Sequence, residues 1–316
     1  MSEIIEKEKA MNKGMPVGLV VSACVAIAQM GMSPQASGQE AKGLRVVSDR
    51  TVTGIAFPES VAYDPRAKVL YTGQWSELKP PDKDGKGRIS KLSLDGKILE
   101  DRFLPAHGET LHKPKGIWVR GERLWVADID AAWIFDLKTR QGRKLDLPGM
   151  GFANDPAVQG DALFISDNRN DLLYRVEPAD FLNHQGRPEI AVVFAGKSIN
   201  PNGLYPARDG SLLMVGFLSP KEARGIYSVS KNGEIKALSK DIGRLDGLYQ
   251  LRDGSLLVTD WNSGSLFRWS PKSGMQTLAS GFKGPADFCV IPDEKGITVV
   301  VPDLVQSQLR FLRLAQ

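Results

Sequence analysis

Glu59, Asn154, Asn202 and Asp246 lie far apart in the chain, yet each opens a short strand-like run of the same kind. All four are oxygen donors; Lys115 and Ala286 open two further runs of this type. Two carboxylates and two carboxamides gathered in one place suit a hard divalent cation. Calcium takes about six to eight oxygens at about 2.3–2.6 Å, with waters completing the shell. A soft metal asks for Cys or His, and neither stands at these positions. Taken singly, each residue is ordinary. Asn202-Gly203 and Asp246-Gly247 are common turn pairs, and a lone glutamate says nothing. The weight comes from their shared register.

That register is set by a repeat. NGLYPARDGSLLMVGF, from Asn202 to Phe217, aligns without gaps on DGLYQLRDGSLLVTDW, from Asp246 to Trp261. Each holds a short strand, an Asp-Gly turn and a second apolar strand. Weaker copies start at Glu59, Lys115, Asn154 and Ala286. Further strand-like runs follow them, such as Arg88–Leu94 with Lys97–Phe103 and Ile226–Ser230 with Glu234–Leu238. Four strands per unit, with units about 40–55 residues apart, is the pattern of propeller blades rather than of a helical solenoid. The fold expected is all-β, a six-bladed β-propeller spanning residues 43–316. In such a ring the first strand of each blade lines the central channel, so the residues that open the units meet near one mouth. The last unit stops after its third strand, Gln308–Leu314, while a strand-like run, Leu44–Val52, precedes the first unit. Pairing these two would complete the last blade and leave no raw edge. No Pro/Ser-rich linker appears after about residue 43; Lys79–Gly87 reads as a polar loop inside the first blade.

Composition narrows the partners. The 316 residues carry a net charge of +4 with both signs interspersed, so nothing points to nucleic acid. Lys7, Lys9 and Lys13 precede an apolar run from Met15 to Met30 and the small residues Ala36-Ser37-Gly38. Residues 1–42 therefore read as a secretory signal peptide and short tail, placing the mature chain in the periplasm or outside the cell. Val21-Ser22-Ala23-Cys24 is a weak lipobox, which keeps a lipid anchor open, and an uncleaved N-terminal anchor is a further alternative. The apolar run is too short and interrupted for a stable membrane span. Cys289 is the one cysteine left in the mature chain, so no intrachain disulfide forms; its apolar surroundings predict a buried thiol.

From about Phe57 to the C-terminus the chain resembles the regucalcin/gluconolactonase/luciferin-regenerating-enzyme family (senescence marker protein-like). It is more distantly similar to paraoxonases and strictosidine synthase-like proteins. The resemblance rests on Pro58-Glu59-Ser60 with Tyr63-Asp64, on Asn154-Asp155, on Asn202-Gly203 and on Asp246-Gly247, in that order and blade spacing. It implies a six-bladed propeller with a divalent metal at the channel mouth, held by Glu59, Asn202 and Asp246, with Asn154 contacting metal or substrate. Many members hydrolyse lactones or esters. A bound cation polarises the carbonyl and a nearby carboxylate activates water. Asp246 is the first candidate for that base, with Asp155 and Asp287 behind it and Asp155 also placed to orient Asn154.

Two positions depart from the family. Phe152 stands where the sugar lactonases carry an Arg two residues before the Asn-Asp pair, and Lys115 stands near the place of a paraoxonase-type His. Lys115 could bind an anionic substrate group, sit near the cation with a lowered pKa, or point to solvent. His107, His112 and His184 read as loop residues, and Asp128, Asp167, Asp260 and Asp303 as turn caps. The six tryptophans read mostly as packing between blades. The function expected is metal-dependent hydrolysis of a small-molecule lactone or ester. Ca²⁺ is the first choice of metal, with Mg²⁺, Mn²⁺ or Zn²⁺ as alternatives. The other readings are a non-catalytic propeller that binds a small ligand or protein partner at the mouth, and a metal that only ties the blades together.

Overall fold

The computed structural model describes residues 43–80 and 82–316. The expected signal peptide, with its alternatives of a lipobox at Cys24 or an uncleaved N-terminal anchor, falls on residues 1–42 and lies outside the described residues. The described regular structure is β throughout, in six four-stranded antiparallel sheets. These are the six blades of a propeller, as the repeat predicts.

The innermost strands are Pro58–Asp64, Pro114–Arg120, Ala153–Gln159, Pro201–Pro206, Leu245–Gln250 and Cys289–Asp293, and they begin blades 1 to 6 in chain order. Burial falls from the inside of each blade outward. In blade 1 the second strand, Val69–Gln74, is buried along its whole length, whereas the outermost, Ile98–Leu104, is exposed over much of its own. The apolar material lies between blades rather than at the centre of the ring. Trp125 and Ile134 of blade 2 pack on Leu163, Ile165 and Val176 of blade 3, and Val215 and Ile226 of blade 4 on Val258 and Phe267 of blade 5. Full burial of one such side chain stabilises by about 1.5–3 kcal/mol. Tryptophan packing between blades follows expectation at Trp125, whose indole N–H donates to Ala179 O of blade 3 at 2.8 Å, and at Trp133, which shares a core cluster with Tyr71 and Phe103 of blade 1.

Blade 6 closes the ring. Its three C-terminal strands are joined by Arg45–Thr53, which pairs antiparallel with Gln308–Ala315 from Arg45 opposite Ala315 to Thr53 opposite Gln308. The expected closing strand, Leu44–Val52, is offset from this by a single residue. Across the seam Arg310 forks onto Asp49, and Arg50 lies over the Phe311 ring at 4.4 Å.

Of the aspartates expected to cap turns, Asp167, Asp260 and Asp303 do so, accepting N–H bonds from residues two or three further on, and all four, Asp128 included, do something more. Asp128 accepts backbone N–H bonds from His112 and Lys113, Asp167 from Gly151 and Phe152, Asp260 from Arg244, and Asp303 from Lys283 and Gly284. Each carboxylate therefore ties the end of a second strand to the segment leading into the innermost strand of its blade. Cys289 is buried, and burial pushes its thiol far above the ordinary range. No helix among the described residues is long and apolar enough to cross a membrane.

Candidate metal centre at the channel mouth

A β-bulge recurs at the start of five innermost strands. Pro58, Pro114, Ala153, Pro201 and Leu245 each pair with the end of the second strand, and the register then slips. Within the slip stand Glu59, Lys115, Asn154, Asn202 and Asp246. A bulge carries an unpaired residue and re-aims its side chain, so the ladder itself releases these five residues. In blade 6 Pro285 makes the equivalent bridge to Asp303, and Ala286 takes the matching position.

Hydroxyls of the second strands fix the bulges. Ser166 accepts the Asp155 N–H at 3.0 Å and donates to Asn202 O of the next blade at 2.6 Å. Thr259 accepts the Gly247 N–H at 2.8 Å and donates to Ala286 O at 3.1 Å. Each hydroxyl satisfies a bulge N–H and holds the backbone of the next blade's mouth residue. Between blades 1 and 2, Ser60 donates to Lys115 O. Glycine is required where neighbouring bulges touch. A Cβ on Gly203 would stand 1.9 Å from Asp246 O, and one on Gly116 would stand 2.1 Å from Asp155 Oδ1.

Glu59, Lys115, Asn154, Asn202 and Asp246 are all buried. Glu59 Oε2 and Asn202 Oδ1 are buried oxygens with no hydrogen-bond partner. Burial raises the Glu59 carboxyl well above the usual range; Asp246 raises it further and Lys115 partly offsets this. Burial also lifts Asp246 to about 7, against hydrogen bonds from Trp261 and Asn202 and the charge of Arg244. Among the described residues no three His, Cys, Asp or Glu side chains gather to hold a metal. The candidate set has only two carboxylates, so its fit to a cation rests on the orphaned oxygens instead. Leaving a buried acceptor unsatisfied costs about 1–3 kcal/mol, and a hard cation is a partner that would satisfy both.

Asp155 and Asp287 occupy the next position of their blades. Asp155 does not orient Asn154 by a hydrogen bond; its Oδ2 accepts the Leu204 N–H of blade 4 at 2.6 Å. Asp287 joins blade 6 to blade 1, its N–H donating to Glu59 O and its carbonyl accepting from Val61 N–H, both at 3.2 Å. Burial holds both carboxyls well above their ordinary range. Both therefore form blade-to-blade contacts beside the mouth.

Lys115 does not point to solvent: its side chain is fully buried and its ammonium has no hydrogen-bond partner. Nζ lies 4.2 Å from the Phe152 ring centroid and 5.9 Å from that of Trp75. Burial lowers its pKa to about 8, against the charges of Glu59 and Asp128. Phe152 is thus the surface on which this ammonium rests. His112 is a loop residue as expected, its Nδ1 accepting the Gly85 N–H at 3.0 Å.

Trp261 is the residue whose place the sequence reading missed. Its indole N–H donates to Asp246 Oδ2 at 2.8 Å, and its ring meets Phe217 edge-on at 5.7 Å. The signal was available, since the gapless alignment ends on Phe217 in one copy and Trp261 in the other. A groove of about 810 Å³ between blades 4 and 5, lined by Leu213, Ile235, Leu256 and Trp269, holds none of the mouth residues.

A scan against protein-family models found no match, and a search of curated protein sequences found none either. Solved structures do match. A protein provisionally assigned as a gluconolactonase superposes with a TM-score of 0.63 at 15% identity, covering 86% of this chain and 98% of its own. A catalytically inactive histidine variant of virginiamycin B lyase from Staphylococcus aureus, solved with quinupristin, gives 0.55 at 15% identity, covering 84% and 99%. A streptogramin B lyase gives 0.55 at 17% identity, covering 84% and 98%. The chain shares the six-bladed propeller fold with these proteins. At such identities the likeness concerns the fold, and the chemistry has to be argued from the mouth.

Proposed function

We propose that the protein is a divalent-cation-dependent hydrolase of a lactone or ester, with calcium as the first choice of metal and Mg²⁺, Mn²⁺ or Zn²⁺ as alternatives. The observation that carries this is the pair of buried, unpartnered oxygens, Glu59 Oε2 and Asn202 Oδ1, on bulges that also release Asn154 and Asp246. Charge supports it. Glu59, Asp155 and Asp246 are buried and Asp287 half-buried, desolvation raises the pKa of all four carboxyls, and Lys115 is the one buried ammonium that acts on Glu59 among them. Such a site favours a further positive charge. Glu59, Asn154, Asn202 and Asp246 would hold the cation, which when bound supplies polarisation of the substrate carbonyl.

The chain's own residues supply the rest. Trp261 anchors Asp246 through Oδ2 and fixes the carboxylate's orientation. Asp246 then takes a proton from the attacking water through its other oxygen. The water oxygen bonds to the carbonyl carbon, the acyl C–O bond breaks, and the departing alkoxide takes up the proton, so one water and one lactone give one hydroxy acid. Asn154 and Lys115 border the reacting group.

The test is hydrolysis of aliphatic, aromatic and sugar lactones, first with EDTA and then with Ca²⁺, Mn²⁺ or Zn²⁺ restored. Activity lost to the chelator and returned by one metal supports the reading; activity that survives metal removal or Asp246→Ala overturns it. A second reading, a propeller that binds a ligand without turning it over, is favoured by Lys115, whose ammonium lies beside Glu59 where it would also repel a metal. Tight metal binding without turnover of any lactone would select it.

A further inference from the structure

The loops around the mouth carry two cation–aromatic clusters whose guanidinium groups, Arg169 and Arg244, the proposed hydrolysis does not use. In blade 3, Arg169 follows the second strand, and its guanidinium lies 4.1 Å from the centroid of the Phe152 ring on which Lys115 also rests. In the loop before blade 5, the Arg244 guanidinium lies 4.3 Å from the centroid of Phe217 and 5.7 Å from that of Trp261. Trp261 in turn bonds Asp246, so the second cluster touches the candidate centre directly.

Neither guanidinium is consumed by the fold. Arg169 and Arg244 form no ion pair among the described residues, whereas Arg88, Arg123, Arg140, Arg175, Arg268, Arg310 and Arg313 all do. Arg244 Nε is buried with no hydrogen-bond partner, and so is Lys115 Nζ. Arg169 is exposed and Arg244 half-buried, so both can be reached from outside. An aromatic ring holds a guanidinium flat and leaves its edge N–H groups free for a planar, bidentate acceptor. Beneath Arg169, Lys115 adds a third positive charge that acts through the field of the site.

We infer that Arg169 and Arg244 form an anion-recognition rim, and that the ligand of this mouth is an organic carboxylate with a flat apolar body. The guanidinium edges take the carboxylate, while the half-buried Phe217 and Trp261 supply apolar surface for the body. This names the substrate class of the proposed hydrolase, a lactone or ester bearing a carboxylate, and it rests on the mouth being the ligand site.

Binding, rather than turnover, tests it. Phenylacetate and its uncharged isostere phenylacetamide are titrated into the full-length protein by calorimetry in EDTA, and again with Ca²⁺. Phenylacetate is expected to bind at least about tenfold more tightly than the amide in both conditions, and Arg169→Gln or Arg244→Gln each to reduce that preference by about tenfold. Lys115→Met, which keeps the stem and removes the charge, is expected to weaken phenylacetate binding in the same direction. Equal binding of acid and amide overturns the inference, as does a preference that appears only with Ca²⁺ or that survives both arginine substitutions. Circular dichroism and melting of each variant separate loss of binding from loss of fold. Carboxylate preference without lactone turnover would sink the hydrolase reading and leave the rim standing. Turnover of neutral lactones with no carboxylate preference would do the reverse.

Discussion

Trp261 donates its indole N–H to Asp246 Oδ2 at 2.8 Å, which fixes one oxygen of the carboxylate and leaves the residue's other oxygen for chemistry. The two residues stand at opposite ends of one strand-turn-strand unit. The hairpin between them, with Leu245 paired to Asp260, brings them together.

Trp261→Phe keeps the ring and its contact with Phe217 but removes the donor. Positioning partners of metal ligands typically contribute about 10–100-fold to affinity or activity. The variant is expected to bind Ca²⁺ about tenfold more weakly, with kcat falling and the melting temperature little changed. Calcium calorimetry beside steady-state kinetics checks this, and unchanged affinity and kcat would leave the indole a packing group.

The metal-free protein is expected to lose stability as pH rises from about 4 to about 7. Asp246 is raised to about 7 in the folded state, and Glu59, Asp155 and Asp287 are raised in the same direction by burial. The folded chain thus holds these protons more tightly than the unfolded one. The stabilisation is full below the unfolded carboxyl pKa and is lost as pH passes the folded value. Lys115, lowered to about 8, contributes only above that pH, where its effect has the opposite slope. Calcium should reverse the carboxylate trend, raising the melting temperature more at pH 8 than at pH 5. Melting curves in EDTA and in Ca²⁺ across this range decide it; a flat metal-free profile would mean that the carboxyls titrate normally.

Gly203→Ala would place a methyl carbon 1.9 Å from Asp246 O. Backbone cannot yield as a flexible side-chain tip does, so blades 4 and 5 must part at the mouth. Overpacking of this kind costs about 1–3 kcal/mol or more. Denaturant unfolding should show that loss, and Ca²⁺ binding should weaken with it because Asn202 and Asp246 both move.

Removal of residues 43–53 deletes the outer strand of blade 6. The edge of Gln308–Ala315 then loses its partner, and Leu309 and Phe311 lose the cover of Val52. An open, apolar edge strand is a template for association. The truncated protein is expected to melt well below the parent and to elute as aggregates in size-exclusion chromatography, whereas Asp49→Ala alone should cost no more than about 1 kcal/mol, being a half-exposed ion pair.

Much of this molecule was legible in its residues. Alternation of apolar and polar residues, Asp-Gly turns and the spacing of the copies made six blades and predicted the closing strand to within a residue, because strand period and turn chemistry act over a few residues. The same repeat located Glu59, Asn154, Asn202 and Asp246, since one structural position recurs in each copy. What the chain could not declare is direction. Glu59, Asn154 and Asp246 are freed by bulges that no residue type announces, while Asp155, one position on, is tied to Leu204 N–H across the blade boundary. Nor could it show that Lys115 is buried on Phe152 or that Trp261 holds Asp246, because those contacts join groups 37 and 15 residues apart through the packing of blade 2 on blade 3 and through hairpin pairing. Local propensity sets the strands. The order of blades around the ring, which only packing of each blade on its neighbours enforces, sets which side chains face one another at the mouth.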